Sequence, residues 1–542
     1  MPMLILFLLL TSLNLNHGRS NIITSSCITT LYPDICYSTV SEDVTQKLLT
    51  KKDVIEHTIN KTKDTIEANL HTITTLTTAS NNLTQRARMA LHECLDMEAA
   101  TLEQLDTVIH TLREYPTKKS LSQYADDLKT LMSATITNKE TCLDALSYYD
   151  NDDANKWLHM KSIVKGQEHG GKMCSNVLAM IKSMTDTDIY NPADQGNKVA
   201  GRKLKEIMWP EWLSAGDRKL LGLFGVTPNV IVAKDGKGNY TTVAEAVDAA
   251  PNKSKKRYVI KITAGTYKEH IQIPRNKHNI MFVGEGRGKT IITGNKNVAG
   301  GHTTTSSSAT VAALGERFLA RDITFQNTAG PSGHQAVALR VAADLSAFYK
   351  CGMEGYQDTL YVHSNRQFYV KCFVTGTVDF IFGNAAVVFQ FCDIMARKPN
   401  PNQLNMITAQ GRTDVNQDTG IVIQKCNIGA SRDLKAVQGN FPTYLGRPWK
   451  KFSRTVVMES IMSDVIRKEG WHPWDGTDFA LDSLYYREYR NIGPGSDTSK
   501  RVTWKGWGVI KDRNEARNFT VSRFINGWTW LLSTGFPFWS GL

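Results

Sequence analysis

The spacing of apolar residues divides the chain into two stretches of different character. Between about 25 and 185 it follows a helical period, and Leu102, Leu105, Ile109 and Leu112 form one stripe of an amphipathic helix. Several such segments, separated by short polar breaks and nearly free of proline, predict an all-α antiparallel four-helix bundle. Near residue 229 the period changes. Tyr258-Val259-Ile260-Lys261-Ile262, Ile280-Met281-Phe282-Val283 and Thr290-Ile291-Ile292-Thr293 are short apolar runs broken by Gly, Asn and Lys, which read as strands. No helical pattern alternates with them, which argues against a doubly wound α/β fold.

The polar positions among the later strands carry a period of their own. Gln335 is followed by Gln357-Asp358 and then Asp379, at intervals of 22 and 21 residues. Phe348-Tyr349-Lys350-Cys351, Phe368-Tyr369-Val370-Lys371-Cys372 and Phe389-Gln390-Phe391-Cys392 run alongside, their cysteines 21 and then 20 apart. A period of about 20–25 residues marks a solenoid in which each repeat is one coil of stacked short strands. Residues one period apart then share a column at the inter-strand spacing of roughly 4.8 Å. The stretch 335–392 therefore gathers two carboxylates and two amides on one face, which predicts an active site on an all-β parallel β-helix.

At 542 residues the chain exceeds one ordinary domain, as the two patterns require. Hydrophobic content of 41% and charged content of 21% are those of a globular protein. The net charge of +12 and pI near 9.1 favour an anionic partner. The basic residues are dispersed, without zinc-finger spacing or an RNA-binding aromatic signature, so nucleic acid is set aside for an acidic polysaccharide or a membrane surface. Leu4-Ile5-Leu6-Phe7-Leu8-Leu9-Leu10, turning polar by Asn14–Ser20, reads as a signal peptide over 1–20, too short to span a bilayer. Sequons at Asn60, Asn82, Asn239, Asn252 and Asn518 suit a glycosylated, exported protein.

Residues 186–228 have few periodic apolar positions and read as a linker. Two basic clusters stand in it, Arg202-Lys203-Leu204 and Arg218-Lys219-Leu220-Leu221. Poorly buried segments are where proteases cut, so a processing site is one reading and a solvated linker the other. Nine cysteines without any C-x-x-C pair exclude a structural zinc or thioredoxin-like centre. Cys27 and Cys36 could close a small loop, and Cys94 and Cys142 could staple two helices. Cys351, Cys372 and Cys392 share a column, either with a bond between neighbours or as buried thiols.

Four segments stand in order over the second half: Gly265-Thr266-Tyr267-Lys268-Glu269, Gly355-Tyr356-Gln357-Asp358-Thr359-Leu360, Asp379-Phe380-Ile381-Phe382-Gly383 and Leu445-Gly446-Arg447-Pro448-Trp449. Together they closely resemble the signature segments of plant pectin methylesterases. Residues 21–185 likewise resemble the inhibitor-like pro-region of such enzymes, including the pattern Cys27, Cys36, Cys94, Cys142. The resemblance implies a right-handed parallel β-helix over 229–542 and hydrolysis of galacturonate methyl esters in cell-wall pectin, with release of methanol. It implies Asp379 as nucleophile, Asp358 as general acid/base, Gln335 and Gln357 as oxyanion stabilisers, and Arg447 as the group that orients Asp379. Trp449 and Trp471 would line the sugar cleft. It further implies a secreted monomer without cofactor or metal, a processing protease acting at Arg218–Leu221 to leave a mature chain near Gly222, and a proteinaceous inhibitor as a second partner. One position departs from the family: Ser306 stands in Thr304-Thr305-Ser306-Ser307-Ser308-Ala309-Thr310 where an aromatic is usual.

These residues suit that chemistry. Covalent attack by a carboxylate divides ester hydrolysis into two easier steps. Two adjacent carboxylates cannot both ionise cheaply, so one keeps a proton for the leaving group. Amide donors can stabilise the oxyanion, each worth roughly 2.7–4 kcal/mol. A β-helix depolymerase and a non-catalytic pectin-binding or inhibitor protein are the rival readings. The arginine and glutamines favour the esterase over the first, and the intact Asp358, Asp379 and Arg447 argue against the second.

Overall fold

The computed structural model describes residues 22–41, 48, 50–79, 83–147, 154–190, 227–301 and 303–542. The expected signal peptide, both basic clusters of the linker and the Asn82 sequon lie outside these residues. The chain divides into two compact units.

In the first unit a short helix, Pro33–Ser41, precedes four long ones: Lys51–Ala79, Gln85–Glu114, Leu121–Leu146 and Ala154–Tyr190. The last runs past the boundary at 185 that its pattern predicts. Thr84 caps one helix by accepting from the Ala87 N–H, and Ser120 and Gln123 form a reciprocal capping box on the next. The predicted stripe faces inward: Leu105, Ile109 and Leu112 are buried, with Leu102 packed at the margin. Disulfides join Cys27 to Cys36 and Cys94 to Cys142, so the open pairings resolve to the local loop and the interhelical staple. No helix of the described residues is long and apolar enough to cross a membrane.

The second unit is a right-handed parallel β-helix of three sheets, with 11, 7 and 8 strands. Successive coils add one strand to each sheet in turn, in unbroken register: Phe348 pairs with Tyr369, and Tyr369 with Phe389. Their rings stack inside the solenoid with centroids 4.6 and 4.7 Å apart, which is the strand spacing transmitted to the side chains. The cysteine column holds free thiols, and it is one member longer than the three found by period, since Cys426 joins it. The N–H of Cys372 donates to Cys392 Sγ and that of Cys392 to Cys426 Sγ, both at 3.4 Å. The Cys426 N–H donates to Ser460 Oγ at 3.1 Å. A thiol ladder thus satisfies backbone donors at an inner corner where the strand ladder is interrupted. Near the C-terminus Val521, Ile525, Trp530, Leu531 and Phe536 cover the outer face of the 11-stranded sheet.

Candidate active site

The site lies at the corner where each coil leaves the 8-stranded sheet and enters the 7-stranded one. Asp358 precedes the strand Leu360–Val362 and Asp379 precedes Ile381–Gly383, with Leu360 paired to Ile381, so the two aspartates occupy one column on adjacent coils. The Asp358 N–H donates to the Val378 carbonyl at 3.0 Å and fixes that register. Both aspartates hold left-handed backbone, φ +60° and +50°. That conformation is disfavoured for any residue with a Cβ and is sustained here by the coils on either side.

Arg447 comes from Thr443–Pro448, two strands further along the same sheet, and pairs through Ala409 to Phe382. Its Nε donates to Asp379 Oδ1 at 2.9 Å and its Nη2 to Oδ2 at 2.7 Å. The planar fork therefore clamps both carboxylate oxygens. Asp475, largely exposed, stands 3.5 Å from Nη1. Burial works against the guanidinium charge, but Asp379 outweighs it, and the net effect strengthens Arg447 as a cation. Asp358 has no such partner. Burial first, and then the adjacent Asp379, hold its carboxyl well above the usual carboxylate range against an opposing pull from Arg447.

The two glutamines stand one and two coils before Asp379. The Gln357 carbonyl accepts from the Ala336 N–H at 3.2 Å, and the Gln335 carbonyl from the Val298 N–H at 3.0 Å. Their side chains are half-buried and have no hydrogen-bond partner among the described residues, so both amides are placed to donate elsewhere. Tyr361 stacks on Phe382 at 4.3 Å, and Trp449 meets Phe382 edge-on at 5.9 Å, which makes an apolar floor beside the carboxylates. Trp449 can lie down there because residue 411 is glycine: a Cβ at Gly411 would stand 2.8 Å from its ring.

Trp471 is elsewhere. It is 1% exposed, stacks on Tyr486 at 4.2 Å and donates its indole N–H to Glu488, itself paired with buried Arg501. Its backbone runs beside that of inward-pointing Leu445, and this parity turns the ring into the core instead of a cleft. A second tryptophan that does reach the site, besides Trp449, is Trp474, half-buried, with the Arg447 guanidinium 4.2 Å above its ring. Periodicity could not have found it, because it stands in an irregular turn after Pro473. Ser306 is buried, and its hydroxyl has no partner among the described residues.

A buried carboxyl held above its usual range next to one clamped by an arginine fork, on the flank of a β-helix, suits a solenoid hydrolase. Comparison with known proteins narrows the class. The family model described as Pectinesterase matches residues 229–528, and that described as Plant invertase/pectin methylesterase inhibitor matches 21–180. Pectinesterase 3 of Citrus sinensis is 57% identical over 532 residues, 98% of this chain and 90% of that protein. Pectinesterase/pectinesterase inhibitor 3 of Arabidopsis thaliana is 56% identical over 542 aligned residues, 96% of this chain and 90% of that one. Among solved structures, pectin methylesterase from carrot is 64% identical with a TM-score of 0.58, spanning 59% of this chain and 99% of that one. The chain belongs to the pectinesterase family, and it is a carboxylic ester hydrolase with an inhibitor-like helical unit before its catalytic unit.

Proposed function

We propose that the protein removes methyl esters from the galacturonate units of cell-wall homogalacturonan, with Asp379 as nucleophile. An Asp379 oxygen attacks the ester carbonyl and forms a tetrahedral oxyanion, which the amides of Gln335 and Gln357 stabilise. Collapse breaks the bond to methoxide, Asp358 delivers its proton, and methanol leaves an acyl-enzyme. Asp358, now the base, takes a proton from water. The hydroxide attacks the acyl carbonyl, and Asp379 departs as carboxylate beside a free galacturonate. Arg447 orients the nucleophile throughout, and Trp449 with Trp474 forms the wall against which the sugar chain lies.

The observation that carries this reading is the asymmetry of the aspartates: one is held by both nitrogens of an arginine fork, and its buried neighbour has no such partner and is held well above the usual carboxylate range by burial and by Asp379. Methanol release from highly methylated pectin tests it. Wild type should release methanol and Asp379→Ala should not; equal release by both sinks the assignment. The reading extends to an enzyme secreted to the cell wall, acting as a monomer, processed at Arg218–Leu221 and open to a proteinaceous inhibitor. The inhibitor-like match over 21–180 supports the last of these.

A further inference from the structure

We propose a second polysaccharide-binding surface, at a different corner of the solenoid from the catalytic one, that takes the acidic chain the reaction leaves behind. The proposal rests on the esterase reading for the identity of that chain. Where the 11-stranded sheet turns into the 8-stranded one, seven successive coils each use a single residue in left-handed conformation: Asp322, Lys350, Lys371, Phe391, Lys425, Glu459 and Arg490, with φ between +48° and +56°. A lone left-handed residue makes a sharp bend and throws its side chain outward. Glycine or asparagine would suit that backbone better, yet long charged chains occupy most of the column.

The far part of this corner is closed. The Trp539 N–H donates to Gln390 at 2.8 Å, Gln424 donates to the Gly541 carbonyl at 2.8 Å, and Lys425 is paired with Glu459 at 2.8 Å. The coils from Asp322 to Phe391 remain open and form a depression of about 330 Å³ lined by Arg287, Asp322, Lys350, Lys371, Phe391 and Asp393. Arg287 is held across it. The side chain passes residue 352, where a Cβ would come within 3.2 Å of its Cγ, and the guanidinium lies 4.9 Å over the Phe373 ring. Gly352 therefore provides a track, and Phe373 a seat, for a cation aimed at the lysine column.

Arg287, Lys350 and Lys371 are exposed and have no carboxylate within ion-pair distance among the described residues. Of the two acids in the depression, Asp322 is paired with Arg321 at 2.7 Å and Asp393 accepts from Asn427 at 3.3 Å. The lysines repeat at the coil spacing, roughly 4.8 Å, so they meet charges repeated along a line better than a single ion. Phe391, 42% exposed and next in the column after Lys371, adds an apolar face beside them. Regular negative charge with an apolar ring face is the chemistry of a uronate chain. Binding there would keep the enzyme on polymer that it has already de-esterified.

The test compares the full-length protein with a variant carrying Arg287→Gln, Lys350→Gln and Lys371→Gln. Affinity for fully de-esterified polygalacturonate at low salt should fall by about tenfold, the effect expected of three exposed ion pairs together. The salt dependence should flatten with it. Methanol release from short methylated oligogalacturonides should stay at the wild-type rate, and Lys350→Arg with Lys371→Arg should keep the affinity. A control that replaces Lys255, Lys256 and Lys511 by Gln removes equal charge elsewhere. Equal loss in the control, unchanged affinity in the triple variant, or equal affinity of the stripe for duplex DNA overturns the proposal. Binding is read without turnover, so an enzyme that releases no methanol would overturn the esterase reading alone.

Discussion

Arg447 reaches across the strand Asn405–Gln410 to hold Asp379 by both carboxylate oxygens, at 2.9 and 2.7 Å. The contact joins residues 68 apart in sequence, and the stacked coils alone bring them together. Lysine at 447 keeps the charge but has no fork, so it cannot restrain the plane of the carboxylate. Arg447→Lys should therefore lower kcat by about 10²-fold with little change in KM, and Arg447→Ala should lower it at least as far. Initial-rate kinetics on methylated pectin check this. A lysine variant within a few-fold of wild type would show that charge alone suffices.

Asp358 makes a separate prediction through its proton. Its carboxyl is held well above the usual range, so the acid form persists where an ordinary aspartate has ionised. The rate of methanol formation should fall on the alkaline side as Asp358 deprotonates, and Asp358→Asn should remove that limb together with most of the activity. Stability follows the same sign. The folded state binds this proton more tightly than the unfolded chain does, so the contribution of Asp358 is most favourable at low pH and declines as pH rises above about 4. Thermal unfolding should show a shallower decline over that window in Asp358→Asn than in wild type.

Trp449 depends on the empty space at residue 411. A methyl group there would stand 2.8 Å from its ring, in a position without left-handed backbone strain. Gly411→Ala should displace the indole and raise KM for pectin several-fold while leaving kcat nearly intact, the mark of a binding wall and not of chemistry. A fall in kcat at constant KM would place Trp449 in the reaction itself.

The solenoid was legible because it repeats. A 21-residue period in Cys351, Cys372 and their aromatic neighbours translates directly into strand register, and the same period sets Asp358 beside Asp379. Pairing of Arg447 with Asp379 was implied only by resemblance, since no local pattern ties residues 68 apart. Trp471, which resemblance alone assigned to the cleft, faces the core instead. Facing of a residue beyond the last regular repeat depends on parity with Leu445, and the irregular turn that brings Trp474 onto Arg447 has no period to read. The thiol column was likewise undecided, because adjacent coils bring cysteines within disulfide range whether or not they bond.

That column can be checked chemically. Cys174, Cys351, Cys372, Cys392 and Cys426 are all free and buried, and burial pushes the thiols of Cys372, Cys392 and Cys426 well up, away from the reactive thiolate. A thiol reagent should find no reactive cysteine in the folded protein and five after denaturation without reductant. A count of three would mean that two neighbours in the column had bonded.

Glu98 gives the helical unit its own dependence on pH. It is 2% exposed, accepts a hydrogen bond from Gln167, and burial pushes its carboxyl up to about 7 against the lowering effect of that bond and of Asn69. In the unfolded chain it titrates near 4.5. Between those values the folded bundle retains a proton that the unfolded chain has lost, so stability falls as pH rises, by about 3 kcal/mol in all. Below about 4.5 both states are protonated and the stabilisation is complete. The bundle should thus be firmest in acid and loosen toward neutrality, and Glu98→Gln, which keeps the shape and cannot ionise, should stay at the acid-side stability throughout. Melting of the full chain at pH 5 and pH 7, followed by helical circular dichroism, separates the two. A wild-type bundle equally stable at both, with no difference from Glu98→Gln, would show that Glu98 ionises freely despite its burial.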